Sequence, residues 1–146
     1  MEVVQVDEEG RLLLSSDIDD WAELERRAVS VIVDLDHTLD AVPSDPDRFL
    51  YIYYPFEDRT LPDLEKLHAV ARMAAALTAH ERVLVHCRMG YNRSALVVGI
   101  ALTYLGWSGA EALSHLRSIR PGALFNEVFA DYLEVLPAIE VRREVD

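Results

Sequence analysis

Residues 94–105, SALVVGIALTYL, carry no charged side chain and read as one helix stopped by Gly106. A helix that is apolar all round must be covered on every side. Just before it, VLVHC at 83–87 is an equally apolar strand, and only the five residues RMGYN separate the two. Strands buried on both faces belong to parallel sheets that helices cover. This strand–loop–helix unit therefore points to an α/β domain.

The remaining segments agree. VVQVD (3–7) and RLLLSS (11–16) read as short strands of a hairpin turned at Glu9-Gly10. SSDIDDWAELERRA (15–28) is expected to be a helix with Ser16 or Asp17 as N-cap and Ile18, Trp21 and Ala22 facing inward. VSVIVDL (29–35) is a buried strand, HTLDAVPSDPD (37–47) a loop, and the aromatic RFLYIYYPF (48–56) another strand. Thr60 is expected to cap the next helix, with Pro62 in its first turn and Asp63 completing a capping box. Ser108 and Glu111 form a capping box for a helix that stops at Pro121-Gly122, and Asn126 caps the last one. Without repeat, linker or low-complexity tract, residues 1–146 read as a single domain. The expected architecture is a central, largely parallel five-stranded sheet flanked by helices.

Charge limits the partners. With 14 basic against 26 acidic residues the net charge is −12, which argues against nucleic acid and anionic lipid as general partners. An anionic substrate would need a local positive site, so a few well-placed arginines matter more than the total. No apolar run approaches the ~20 residues of a membrane span. The first residues, MEVVQVDEEG, are acidic where a secretory leader would be basic. A single cysteine rules out an internal disulfide framework or a multi-cysteine zinc site. Together these features suggest a cytoplasmic protein whose thiol stays free.

That cysteine has a telling position. Cys87 ends the apolar strand, and the loop after it, Arg88, Met89, Gly90, Tyr91 and Asn92, leads into a helix N-terminus. Unpaired N–H groups and the positive dipole end favour an anion there. Gly90 lets the backbone turn so that successive N–H groups form a nest. Arg93 can return a planar fork to the same anion. The same field favours a thiolate over a thiol. Ser94 can then donate a hydrogen bond to the sulfur and ease its departure.

His86-Cys87, Gly90 and Arg93-Ser94 match H-C-x-x-G-x-x-R-[ST], and the chain resembles the cysteine-dependent protein tyrosine phosphatases. Five such fixed positions arise by chance on the order of once in 10⁵ chains of this length. AVSVIVDL, YYPFED, VLVHCRMGYNRS and RPGALFNEVF follow the landmarks of the dual-specificity branch, in its small single-domain bacterial type, from about residue 11 to 136. The resemblance implies a dual-specificity phosphatase-like catalytic domain that hydrolyses phosphomonoesters through a phosphocysteine, with no metal or other cofactor. It implies Cys87 as nucleophile, Arg93 and the loop 88–93 as phosphate-binding group, Asp58 in YYPFED as general acid, Ser94 as aid to sulfur departure and His86 as structural partner behind the cysteine. Phosphorylated protein or a small phosphomonoester would be the substrate, and phosphate or vanadate would inhibit. Arg88, Met89, Tyr91 and Asn92 are not that branch's commonest loop residues. GYNR resembles GFNR of cysteine-dependent RNA 5′-triphosphatases, which keeps RNA ends open beside phosphoinositides as substrates. A phosphate-binding module without turnover is the rival from another class.

A second motif competes. VIVDLDHTL (31–39) resembles the Asp-x-Asp-x-Thr motif of haloacid dehalogenase-like phosphatases, where Asp34 would attack phosphorus, Asp36 would handle the proton and Mg²⁺ would join them. That family also needs a lysine and a later acidic pair after an apolar strand. The only lysine, Lys66, lies inside the expected capped helix, and no strand ends in paired aspartates. The stretch reads instead as a buried strand leaving the sheet through a polar turn.

Overall fold

The structure, a computed structural model, describes residues 1–43 and 47–139; the centre of the 37–47 loop lies outside the described residues. In chain order the elements are β1 (Val3–Gln5), β2 (Leu12–Ser15), α1 (Trp21–Arg26), β3 (Val31–Asp34), β4 (Leu50–Tyr53), α2 (Leu64–Leu77), β5 (Val83–His86), α3 (Arg93–Tyr104), α4 (Gly109–Ile119) and α5 (Glu127–Glu134). The five strands form one sheet in the order β1-β2-β5-β3-β4. Only the β1–β2 hairpin is antiparallel; β2, β5, β3 and β4 run parallel.

Side chains alternate across a strand, and the two cores follow that period. Leu12, Leu14, Val31, Val33, Val83 and Val85 pack into one cluster with residues of α2–α5. Leu13, Ile32 and Leu84 face the other way, against Leu24 of α1, Val29 and Phe49. The apolar helix lies where its composition requires: Arg93 through Thr103 of α3 are all buried. No helix among the described residues is long and apolar enough to cross a membrane.

Two helix starts differ from expectation. α1 is capped by Asp20, which accepts from the Glu23 N–H, rather than by Ser16 or Asp17. Those earlier residues have other uses: Ser16 Oγ accepts from Glu2 N at 3.4 Å and Asp17 N donates to Arg88 O at 3.1 Å. α2 is capped by Asp63, which accepts from Lys66 N at 3.0 Å, and not by Thr60. Pro62 explains the shift, because the residue before a proline disfavours the α conformation and Leu61 cannot serve as a first helical residue. The Ser108–Glu111 capping box and the Asn126 cap are both present.

Register gathers the site. Ser15, His86 and Asp34 are level at the C-terminal ends of β2, β5 and β3. The loops leaving these parallel strands therefore open at one edge of the sheet, the usual place for a ligand in α/β folds.

Candidate active site

The Cys87 loop is built from that edge outward. β5 delivers Cys87 at 2% exposure, and the chain turns back through Gly90 at φ +75°. A side chain at Gly90 would also meet the backbone of Ser15 and Ser16 at 2.9–3.1 Å, so the turn requires glycine twice over. Gly90 N donates to Cys87 Sγ at 3.3 Å, and Sγ lies 3.3 Å from Ser94 Oγ. As a thiol, Cys87 Sγ donates to Ser94 Oγ while accepting from Gly90 N–H; once the sulfur has lost its proton the Ser94 hydroxyl can turn to donate to it as well. Asn92 caps α3 without a side-chain bond to the helix backbone.

Arg93 reaches across to the end of β3 and the chain beyond β4. Its Nη1 lies 3.1 Å from Phe56 O and 3.4 Å from both Leu35 O and Asp36 Oδ1. The side chain is about a tenth exposed and its Nε, fully buried, has no hydrogen-bond partner among the described residues. An unpaired buried donor is costly unless something completes it. The guanidinium is therefore fixed at one end with an edge left over for an anion.

Asp58 is exposed, but both carboxylate oxygens are held. Asn92 Nδ2 donates to Oδ2 at 2.8 Å and Asn126 Nδ2 to Oδ1 at 2.8 Å. Asn126 also caps α5 through its Oδ1. One asparagine thus closes a helix and anchors an aspartate, a double role that the sequence reading as a plain cap did not contain. Asp63, five residues on, is the cap of α2 and accepts from Lys66 N at 3.0 Å.

His86 is fully buried, with Nε2 2.6 Å from Asp40 Oδ2 and 3.6 Å from Asp34 Oδ1. Burial pulls its pKa down, but the hydrogen bond and charge of Asp40 and the charge of Asp34 prevail, so the net shift is upward. Asp34 is buried too: it accepts from Asp36 N at 2.9 Å and from the Tyr51 hydroxyl. Desolvation raises its pKa against those two bonds. The Asp-x-Asp stretch is thus more than a polar turn. Asp34 and Asp40 flank the histidine before the cysteine, and Asp36 faces Arg93. The 37–47 loop hid Asp40 from sequence reasoning, since its approach to His86 depends on tertiary folding alone.

Donor atoms of Asp34, Asp40 and His86 lie within 4.8 Å of one another, the geometry a metal would need. Asp34 already accepts from Tyr51 and Asp36 N, and Asp40 pairs with His86 Nε2. A metal also requires neutral imidazole, whereas His86 is drawn towards the protonated form. The residues do not fit a metal well. Beside them Asp17, Asp36, His37, Asp40 and Arg88 line a depression of about 480 Å³ next to the loop. Burial, and then Asp36, raise the Asp17 pKa there.

Compared with known proteins, residues 16–136 match the family model described as the catalytic domain of dual-specificity phosphatases. The chain belongs to the dual-specificity phosphatase family. Among curated relatives, Protein phosphatase Slingshot homolog 3 of Rattus norvegicus is 33% identical over 122 residues, which are 80% of this chain and 18% of that protein. Tyrosine-protein phosphatase CDC14 of Saccharomyces cerevisiae is 35% identical over 69 residues, 46% of this chain and 12% of its own length. This dual-specificity phosphatase domain thus spans about a fifth or less of either relative. Among solved structures, Tk-PTP in its active form superposes with a TM-score of 0.73 at 28% identity, covering 90% of this chain and 95% of its own. Human DUSP28 gives 0.71 at 28% identity, covering 90% and 94%. The expected fold, family and strand–loop–helix unit agree with these likenesses.

Proposed function

We propose that this domain hydrolyses phosphomonoesters through a phosphocysteine at Cys87, with phosphorylated tyrosine, serine or threonine of proteins as substrate. The observation that carries the reading is the convergence of Gly90 N–H and Ser94 Oγ on a buried Cys87 Sγ at the foot of α3. The unpartnered Nε of Arg93 supports it, as a donor kept dry for an anion.

In the first step the thiolate attacks phosphorus and the P–O bond to the leaving group breaks. Arg93 and the loop N–H groups hold the three equatorial oxygens, where most of the stabilisation of a loose transition state arises. Asp58 gives its proton to the departing oxygen. Carrying that proton weakens one of the two asparagine bonds, since a carboxylic acid oxygen accepts less strongly than a carboxylate does. In the second step Asp58 takes a proton from water as its oxygen attacks phosphorus. The P–S bond breaks and Ser94 donates to the returning thiolate. His86 and Asp40 hold the strand end behind the sulfur. A reducing compartment, the cytoplasm, suits an enzyme whose one cysteine must stay a thiol.

The test is intact-protein mass spectrometry of Asp58→Asn enzyme mixed with a phosphotyrosine peptide and quenched in acid. A transient adduct of one phosphoryl group on Cys87, with hydrolysis of p-nitrophenyl phosphate by the parent, is the expected result. Binding of the peptide with no turnover in the parent enzyme would make the domain a phosphate-binding module instead.

A further inference from the structure

Four consecutive carbonyl groups of the Cys87 loop are gripped by other segments. Asp17 N donates to Arg88 O at 3.1 Å and Leu124 N to Tyr91 O at 2.8 Å. Between them Arg120 donates from Nη2 to Met89 O at 3.1 Å and from Nε to Gly90 O at 3.3 Å. In a trans peptide the C=O and the next residue's N–H point opposite ways within one plane. The described residues contain no cis bond. Each captured carbonyl therefore turns the following N–H, of Met89, Gly90, Tyr91 or Asn92, away from its captor. For Gly90 the result is visible, because that N–H reaches Cys87 Sγ at 3.3 Å.

Arg120 orients two of the four peptides by itself. It is 6% exposed at the end of α4, its guanidinium lies 4.1 Å above the Tyr91 ring, and Nη1 pairs with Glu2 Oε2 at 2.5 Å. All three guanidinium nitrogens thus have a partner, and two of them donate to loop carbonyls. Leu124 shares the task from a left-handed backbone at φ +59°, a conformation that L side chains rarely adopt.

We propose that Arg120 is a positioning residue: by holding Met89 O and Gly90 O it sets the N–H groups of Gly90 and Tyr91 towards the anion, without touching phosphate itself. This rests on the phosphatase reading only for what the cradle binds. A lysine keeps the charge but lacks the rigid fork that meets two successive carbonyls.

The experiment compares Arg120→Lys with Arg11→Lys. Arg11 also bridges two consecutive carbonyls, of Thr78 and Ala79, remote from the loop, and serves as the matched control. Orthovanadate affinity, the rate of iodoacetate alkylation of Cys87 at pH 6 and kcat on p-nitrophenyl phosphate are measured with the melting temperature. For Arg120→Lys all three should fall by about tenfold to a hundredfold, as for loss of oriented donors around an oxyanion, while Arg11→Lys stays within about twofold. A folded Arg120→Lys enzyme with parental vanadate affinity and alkylation rate overturns the proposal. Should that variant not fold, the parent decides: the Gly90 and Tyr91 amide resonances must shift on vanadate titration, and resonances that stay fixed refute the orientation. Parent enzyme that binds vanadate with those shifts yet hydrolyses no phosphomonoester would sink the phosphatase reading and leave the role of Arg120 standing.

Discussion

Asn92 donates from Nδ2 to Asp58 Oδ2 at 2.8 Å and accepts the Asn126 N–H on Oδ1 at 3.0 Å. The residue that opens α3 is thereby fastened to the loop carrying the candidate acid. Replacing it as Asn92→Ala leaves Asp58 with one amide partner and a wider range of positions. Hydrogen bonds to charged groups are worth about 1.5–3 kcal/mol, and tenfold in rate is about 1.4 kcal/mol. We expect kcat on an alkyl phosphate to fall about tenfold or more. On p-nitrophenyl phosphate, whose leaving group barely needs a proton, it should fall much less. Equal losses on both substrates would separate Asn92 from the acid.

Arg93 is tethered by Asp36 Oδ1 and the carbonyls of Leu35 and Phe56 through a single nitrogen, Nη1. Arg93→Lys keeps the charge but loses the fork, so kcat/KM should drop by about 10²–10³, the scale seen on removing an oxyanion donor. Asp36→Asn keeps an acceptor for Nη1 but removes a competing negative charge. Phosphate should then inhibit at lower concentration, measured as Ki against p-nitrophenyl phosphate. An unchanged or higher Ki would mean that Asp36 does not share the anion's field.

The pH dependence of stability follows from His86. Its pKa in the folded chain lies above the ordinary 6.5, with burial opposing and Asp40 and Asp34 prevailing. A group of this kind stabilises fully below its unfolded value, and the contribution is lost as pH rises through the folded one. Urea unfolding from pH 5.5 to 8.5 should show stability declining towards the alkaline side of that window. Asp40→Asn removes the charge that holds the proton and should flatten the decline. A decline of the same size in the Asp40→Asn protein would assign it elsewhere.

Asp34 and Cys87 can be set against each other directly. Asp34→Asn keeps size but loses one acceptor for Tyr51 or Asp36 N, which should cost about 1–3 kcal/mol of stability. The folded fraction should still turn over, and EDTA should change nothing. Cys87→Ser should be inactive with phosphate affinity retained, because serine there has no base to ionise it. A dead Asp34→Asn enzyme beside a living Cys87→Ser enzyme would return the aspartate mechanism.

Local chemistry was legible in the sequence where one segment decided its own fate. The strand–loop–helix around Cys87, the turn at Gly90 and the caps at Ser108 and Asn126 all depend on neighbours in the chain. The starts of α1 and α2 were misplaced where several candidate caps stood close together, and Leu61-Pro62 was the overlooked discriminator in the second case. Asp40 and Arg120 were missed as site residues, and Asp36 was read only as part of the rival motif and not as a partner of Arg93, for another reason. Each meets the Cys87 region only after strand register and helix packing bring distant segments together. The Asp-x-Asp pattern at 34 and 36 was a signal, but it suggested a metal phosphatase before it suggested supports for a histidine and an arginine.

The four captured carbonyls have a consequence for how the domain comes into being. Their partners arrive from residues 17, 120 and 124, while the guanidinium of Arg93 waits on residues 35, 36 and 56. No short stretch of chain can assemble such a ring of contacts alone, and contacts between distant segments form late because loop closure must come first. Chemical competence should therefore be among the last properties gained during refolding, after the helices have formed. An incompletely folded or truncated chain would carry the same thiol without the surroundings that make it selective, and its reactivity would be that of any exposed cysteine.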